Sequence, residues 1–396
     1  MASNSCFLTK ALLPACLIFV CCQLRADESA ARPAPWIGYT AFRTNLPGGR
    51  HANVVTMRSH LVRADGSQGQ EIAAELHKEP NTWTQFAGWS PDGRQAIVNA
   101  AWESPENGAW EEEHKTFRFG DGWLLDAVLV DLANGSTFNI TAVDRVSRYN
   151  SGLFFWPGDD RKMGFQALIE GVSHPFRMNR DGHDKEDLSS SQEGFTYGFN
   201  PSPDGKRICY HKDYQVYVAD ADGKNLKQVE TGKPFNFAPQ WSPDGNWVLF
   251  VAGEHYDCHP HVATRDGTGV RKIADRSGYR GVVEFLDVPD FHGGSSDIPT
   301  WSADGKFVYF TARVEEAIEL FRVDLEGNRE RLTFSKPGSF HYHPKESPDG
   351  DYLLFGGHRG DARQLYVRKV NGNREWPITR LSSGQAAMWG HWQPSE

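Results

Sequence analysis

The chain has 396 residues, of which 39% are hydrophobic, 12% aromatic and 23% charged, with a formal charge of −9. That mixture suits a globular protein with a large core and excludes a low-complexity or fibrous chain. The acidic balance argues against general nucleic-acid binding and against electrostatic adhesion to anionic membranes, which both need clustered Lys and Arg.

The N-terminal segment reads as a secretory signal. Lys10 closes a polar start, residues 11–22 are apolar, and a polar, Pro-rich stretch follows. A basic start, an apolar run of about 7–15 residues and a small-residue exit mark such signals. The run is too short to span a bilayer, which needs about 20 apolar residues. Cleavage is expected after Ala26, with residues 27–35 as a linker. Lipidation at Cys21 is disfavoured, because Val20 rather than Gly or Ala precedes it. Cleavage would remove Lys10, Arg25 and four of the six cysteines, taking the charge from −9 to −11. Cys209 and Cys258 remain, so the exported protein has at most one disulfide and no disulfide framework. A periplasmic or secreted location is the expectation.

Beyond the linker one unit repeats. Its first signal is a tetrapeptide: Ser90-Pro-Asp-Gly93, Ser202-Pro-Asp-Gly205, Ser242-Pro-Asp-Gly245, Ser302-Ala-Asp-Gly305 and Ser347-Pro-Asp-Gly350. Trp156-Pro-Gly-Asp-Asp160 is a degenerate copy, and Trp392-Gln-Pro-Ser-Glu396 a truncated one. Pro presets the first turn position, Asp caps the turn, and Gly takes the left-handed position. Alternating β-branched and aromatic residues follow each copy, as in Trp247-Val-Leu-Phe250, and predict a strand. The second signal is a strand ending in Asp-Gly, Asn-Gly or Glu-Gly, as at Asp222-Gly223 and Glu326-Gly327. Such pairs are hairpin turns.

Two turns at this spacing predict four strands per unit, repeated radially as propeller blades. The fold expected is all-β: a seven-bladed β-propeller over residues 36–396. The first unit opens on Trp36-Ile-Gly-Tyr-Thr-Ala-Phe42, a second-strand pattern without its own tetrapeptide. Residues 388–392 are expected to supply the missing strand. That splice of the C-terminal strand onto the N-terminal blade would close the ring and leave no sheet edge.

This repeat resembles that of the TolB-like, PD40-type (WD40-like) propeller family over most of residues 36–396. The resemblance implies export and the propeller fold. TolB proper carries a further α/β domain before its propeller. The short linker leaves no room for it, so a role in the Tol machinery is not implied.

In a propeller the blade connections and middle hairpins emerge on the channel face. Eleven of the fifteen histidines fall in or beside such segments, among them His211, His255, His292, His341, His343, His358 and His391. Two long inserts are expected there. Residues 100–126 carry Trp102, Trp110 and a run of glutamates, suited to sugar stacking or a cation. Residues 277–299 carry His292 and Asp297 beside paired glycines, which admit a ligand close to the backbone. In Ser339-Phe-His341-Tyr-His343-Pro344, strand alternation would point both imidazoles the same way, a plausible pair of metal ligands.

The string His341-Tyr-His343-Pro-Lys-Glu-Ser-Pro-Asp-Gly also resembles a segment of oligogalacturonate lyases, propellers of the same repeat type. That resemblance implies a divalent metal, Mn or Ca, on His341 and His343, with His292 as third ligand. It implies β-elimination by a His base and a carboxylate-neutralising Arg, for which His255 and Arg313 are the candidates. The family's Gln three residues before the first His is Gly338 here. No phosphate-binding Gly loop and no Gly-x-Ser-x-Gly elbow is present. The favoured function is a binding scaffold for an envelope protein or an acidic glycan through Trp102, Trp110, His211, Asp297, His358 and His391. The alternative is a metal-assisted polysaccharide lyase.

Overall fold

The structure is a computed structural model. From residue 34 to 394 it describes all residues but 117, 119–121, 144, 145, 147–152, 170, 171, 190–195 and 285–296. The expected signal, Met1 apart, lies outside the described residues, and so do His292 and the first positions of the linker. The chain divides into Met1–Pro33 and Ala34–Glu396. Among the described residues no helix is long and apolar enough to cross a membrane.

The second part is all-β. Four sheets are four-stranded and antiparallel, each built from consecutive strands. They start at Thr82–Trp89, Phe154–Phe155, Thr196–Pro201 and Phe235–Trp241. A twelve-stranded sheet holds the rest. Within it Thr300–Trp301 and Phe340–Glu346 open two further antiparallel sets, joined by a single parallel pair, Ile318 with Phe340. The last set combines both chain ends: Gln385–Trp392 pairs antiparallel with Trp36–Arg43.

The turn chemistry is as the tetrapeptide dictates. In all five copies the serine hydroxyl donates to the aspartate two residues on, at 2.5 to 2.8 Å. The same oxygen accepts from the N–H that opens the next strand, as with Trp247 on Ser242 at 3.0 Å. The glycine N–H returns to the serine carbonyl, as Gly245 does to Ser242 at 2.9 Å.

Successive sets pack face to face, burying the alternate strand residues. Ile97 and Leu129 meet Met163 and Phe165, Cys209 and Val218 meet Trp241 and Val248, and Leu249 meets Val308 and Phe310. The set opened by Phe340 contributes Leu354 and Val367 to a cluster with Ile37, Tyr39 and Trp392. Leu61, on the N-terminal strands, packs on Phe86 and Val98. Each fully buried Leu, Val or Phe is worth about 1.5–3 kcal/mol. Cys209 and Cys258 are buried thiols that form no disulfide.

The strands that open the sets, their inner strands, share one irregularity in four cases. Four residues before the turn serine, or its equivalent, the backbone turns left-handed: Gly198 (φ 68°), Ala238 (φ 48°), His343 (φ 49°) and Trp389 (φ 52°). The pairing register slips there in each of the four strands. One extra residue against the neighbouring strand is a β-bulge, which re-aims the side chains after it.

Candidate binding face along the inner strands

The bulge lines up one position, two residues before the turn serine. It is Asn200, Gln240, Thr300, Lys345 and His391 in successive sets. Asn200 donates to the carbonyl of Pro239 at 3.0 Å, Gln240 to Pro299 at 2.6 Å and Thr300 to Pro344 at 2.7 Å. Each thus satisfies a carbonyl on the neighbouring set. Tryptophans tie the same strands in the other direction. Trp241 Nε1 donates to Asn200 O (3.3 Å), Trp392 to Lys345 O (2.9 Å) and Trp89 to His391 O (3.1 Å). This inner belt links the set at Thr196 through each following set to the one at Thr82.

Lys345 and His391 depart from the pattern. The Lys345 ammonium lies 3.3 Å from His391 Nδ1, side chain to side chain. Both residues are half-buried. Burial pushes the Lys345 pKa down. Burial, then the nearby charge of Lys345, holds His391 well below the usual imidazole range. His391 is therefore neutral, and its Nδ1 accepts from the ammonium. Trp389, the left-handed residue of the same strand, stacks on Phe42 and on His343.

His343 reaches a second group through its backbone. Its N–H donates to Asp297 Oδ1 at 2.9 Å. Asp297 is buried, accepts from the Thr311 hydroxyl at 2.5 Å, and lies 3.6 Å from the Arg276 guanidinium. Arg276 is itself buried, bonded to Thr311 and poised 4.7 Å over the Tyr279 ring. Asp297 therefore anchors an inner strand to the neighbouring set.

His341 does not share a site with His343. The bulge breaks the alternation that would align them. His341 Nδ1 donates to Ile318 O at 2.7 Å, and its Nε2 accepts from Arg359 Nη2 at 2.8 Å. Burial, and then Arg359, push its pKa down to about 4. Both ring nitrogens are thus engaged, and the one lone pair faces a guanidinium. Such a set does not fit a divalent cation, which needs a free imidazole lone pair. Among the described residues no three His, Cys, Asp or Glu side chains group to hold a metal.

The remaining candidates lie apart from this belt. Arg313 is ion-paired with Glu284. His255 is exposed at a hairpin tip, against Phe235 and Tyr256. His211 is buried and accepts from the Ala238 N–H at 3.1 Å. His358 sits at the end of its strand against Phe340, with a pKa lowered by burial and by Arg363.

The middle of the Trp-rich insert is helical: α2 (Pro105–His114), whose N-cap is Ser104, rests on α1 (Gly49–Val54) from the first strand's connection. Glu103 and Glu111 are fully buried and both accept from Arg50, at 2.7 and 2.6 Å. His51 adds a contact to Glu103 at 3.1 Å. Two carboxylates of the supposed acidic site are thereby committed to holding the insert down. Trp102 is half-buried, and Trp110 stacks on His114 at 4.0 Å. Sequence reasoning alone misses Lys345, Arg276, Arg359 and Trp389. Aligning the strands on the turn serine would have exposed Lys345 as the one charged member of a polar column.

The family described as TolB beta propeller domain, PD40, matches residues 209–395. A relative from Agrobacterium fabrum, "Uncharacterized protein Atu1656", is 32% identical over 264 residues, 59% of this chain and 84% of that protein. Dipeptidyl-peptidase 5 of Porphyromonas endodontalis is 24% identical over 232 residues, 54% of this chain and 31% of that protein. Two solved structures share the fold. TolB from Acinetobacter baumannii is 15% identical with a TM-score of 0.52, covering 91% of this chain and 67% of that one. An oligogalacturonate lyase in complex with manganese is 14% identical with a TM-score of 0.55, covering 88% and 86%. Repeat, sheet order and relatives agree, and the chain belongs to the TolB β-propeller (PD40) family.

Proposed function

We propose that the protein is an exported, seven-bladed propeller that serves as a binding scaffold through its channel face. The four-stranded sets would be the blades, and Gln385–Trp392 beside Trp36–Arg43 the splice that closes the ring. Residues 1–26 would direct export to the periplasm or the exterior. The partner favoured is an acidic glycan, with an envelope protein as the other class.

One observation carries this reading. Three of the groups that a lyase would use for its metal and its carboxylate contact are engaged with the protein itself. His341 has both nitrogens bonded, Arg313 is paired with Glu284, and Asp297 is held by Thr311 and His343. General base catalysis needs a lone pair within reach of substrate. What the belt does offer is a positive, half-buried centre at Lys345. The likeness to an oligogalacturonate lyase is one of fold, and fold alone does not assign chemistry.

The test is calorimetric titration of the mature protein with polygalacturonate, beside an assay for unsaturated products with and without added Mn. Saturable binding without product is expected. Accumulating unsaturated product would overturn the scaffold reading.

A further inference from the structure

We propose that Lys345 and His391 form an anion-binding centre in the inner belt that takes a single carboxylate, from a uronic-acid sugar or a small organic acid. The inference deepens the scaffold reading and rests on it only in placing the belt on an accessible face.

The first ground is the contrast along the belt. At the same position Asn200, Gln240 and Thr300 use a neutral side chain to satisfy a carbonyl of the neighbouring set. A neutral hydrogen-bonding side chain is enough for that task. Lys345 instead places a full positive charge there and turns to His391 at 3.3 Å. A partly buried ammonium without an anion is costly, and lysines are rarely buried unless paired.

The second ground is the missing counter-charge. Among the described residues no carboxylate forms an ion pair with Lys345. Its neighbour is the His391 imidazole, whose Nδ1 lies 3.3 Å from the ammonium as an acceptor. The ammonium has three donors. One goes to His391, which leaves two for an incoming acceptor. Both residues keep part of their surface exposed.

The third ground is stoichiometry of charge. One ammonium beside a neutral imidazole balances one negative charge. A carboxylate matches this, whereas a phosphate dianion would leave a charge uncompensated in an enclosed site. The protein as a whole carries −9, so it repels polyanions at range. Screening confines that repulsion to about 8–10 Å, and the attraction at Lys345 acts at contact.

The decisive variant is Lys345→Gln, because it copies Gln240 from the same position of another set and so suits the fold. The full chain is titrated with acetate, glucuronate and phosphate, following Tm and the His391 ring signals by NMR. Carboxylates should raise Tm and shift the His391 signals saturably, and Lys345→Gln should lose both responses at least tenfold while its ligand-free Tm stays at or above that of the parent. Equal responses to acetate and glucuronate identify a free carboxylate as sufficient, and a stronger one to glucuronate identifies the sugar acid. A response to phosphate alone, no saturable response, or an undiminished response in Lys345→Gln overturns the proposal. Because the probes are small, failure to bind polygalacturonate leaves this result standing, and failure here leaves the scaffold reading to its own test.

Discussion

Arg359 donates from Nη2 to Nε2 of His341 at 2.8 Å, so a buried imidazole is held as a neutral acceptor by a cation. The consequence is a pH-dependent stability. His341 has its pKa pushed from 6.5 to about 4 in the folded protein. Between those values the unfolded chain takes a proton that the folded one refuses. Stability is therefore full above pH 6.5 and falls as the pH drops towards 4. His391 and His358 are shifted the same way and add to the slope. Denaturant unfolding from pH 7 to 4 measures it. His341→Phe removes the imidazole, leaving Arg359 and the Ile318 carbonyl without that partner. It should cost about 2–4 kcal/mol at pH 7 and flatten the curve. Glu319, 3.6 Å from His341 and also held below the usual carboxylate range, keeps part of the slope in the variant, so a slope that does not fall at all would overturn the His341 contribution.

Removing Arg50 should be severe. Arg50→Met leaves Glu103 and Glu111, both fully buried, without their shared guanidinium. Stranding buried charges costs about 3–5 kcal/mol. Adding Glu103→Gln and Glu111→Gln to Arg50→Met removes those charges and should recover more than half of the loss. Chemical denaturation of the three variants decides it. If the triple variant is no better than Arg50→Met, the ion cluster is not what holds α1 against α2.

The repeat was legible because its information is local. Ser-Pro-Asp-Gly specifies a turn with four residues, and each copy makes the same bonds in the structure. The strand supplied by the C-terminus was legible too, because the first unit visibly lacked one. The candidate site was not, for a geometric reason. Reading His341 and His343 as a pair assumes uninterrupted alternation. The left-handed residue that interrupts it is Gly at 198 but Ala, His and Trp elsewhere, so composition gives no warning. The carboxylates of the insert mislead for a similar reason. Their partner Arg50 lies 53 residues before Glu103, beyond any local pattern.

The bulges give opposite expectations for two positions of one column. Ala238 is held at φ 48°, a region that disfavours a Cβ. Ala238→Gly should then be neutral or stabilise by up to about 1 kcal/mol, relief of strain offsetting the entropy of a freer unfolded chain. Gly198→Ala should destabilise, because the backbone is at φ 68° and the new Cβ would meet His211 Nδ1 at 3.0 Å and Pro239 Cδ at 3.1 Å. A loss of about 1–3 kcal/mol is expected. Thermal melts of both variants check the pair, and a matched loss in Ala238→Gly would mean that the left-handed turn is unstrained.

The strongest prediction concerns the last strand. Gln385–Trp392 pairs with Trp36–Arg43, and Trp392 Nε1 donates to Lys345 O at 2.9 Å. Beyond it, Gln393 Nε2 donates to Gly93 O at 2.9 Å, joining the end of the chain to the first tetrapeptide. Trp392→Phe keeps most of the apolar volume and deletes one buried bond, so it should cost about 1–2 kcal/mol. Trp89→Phe deletes the equivalent bond to His391 O. The two act on adjacent strands and touch one belt, so the double variant should depart from additivity. Truncation after residue 384 is a different matter. It removes a whole strand, uncovers the backbone of Trp36–Arg43 as an open edge and exposes Ile37 and Tyr39. Open, apolar edges pair with other chains. The truncated protein should therefore aggregate during refolding, whereas both tryptophan variants stay monomeric by light scattering. A truncated chain that remained a soluble monomer with its Tm unchanged would show that the two ends do not complete one sheet.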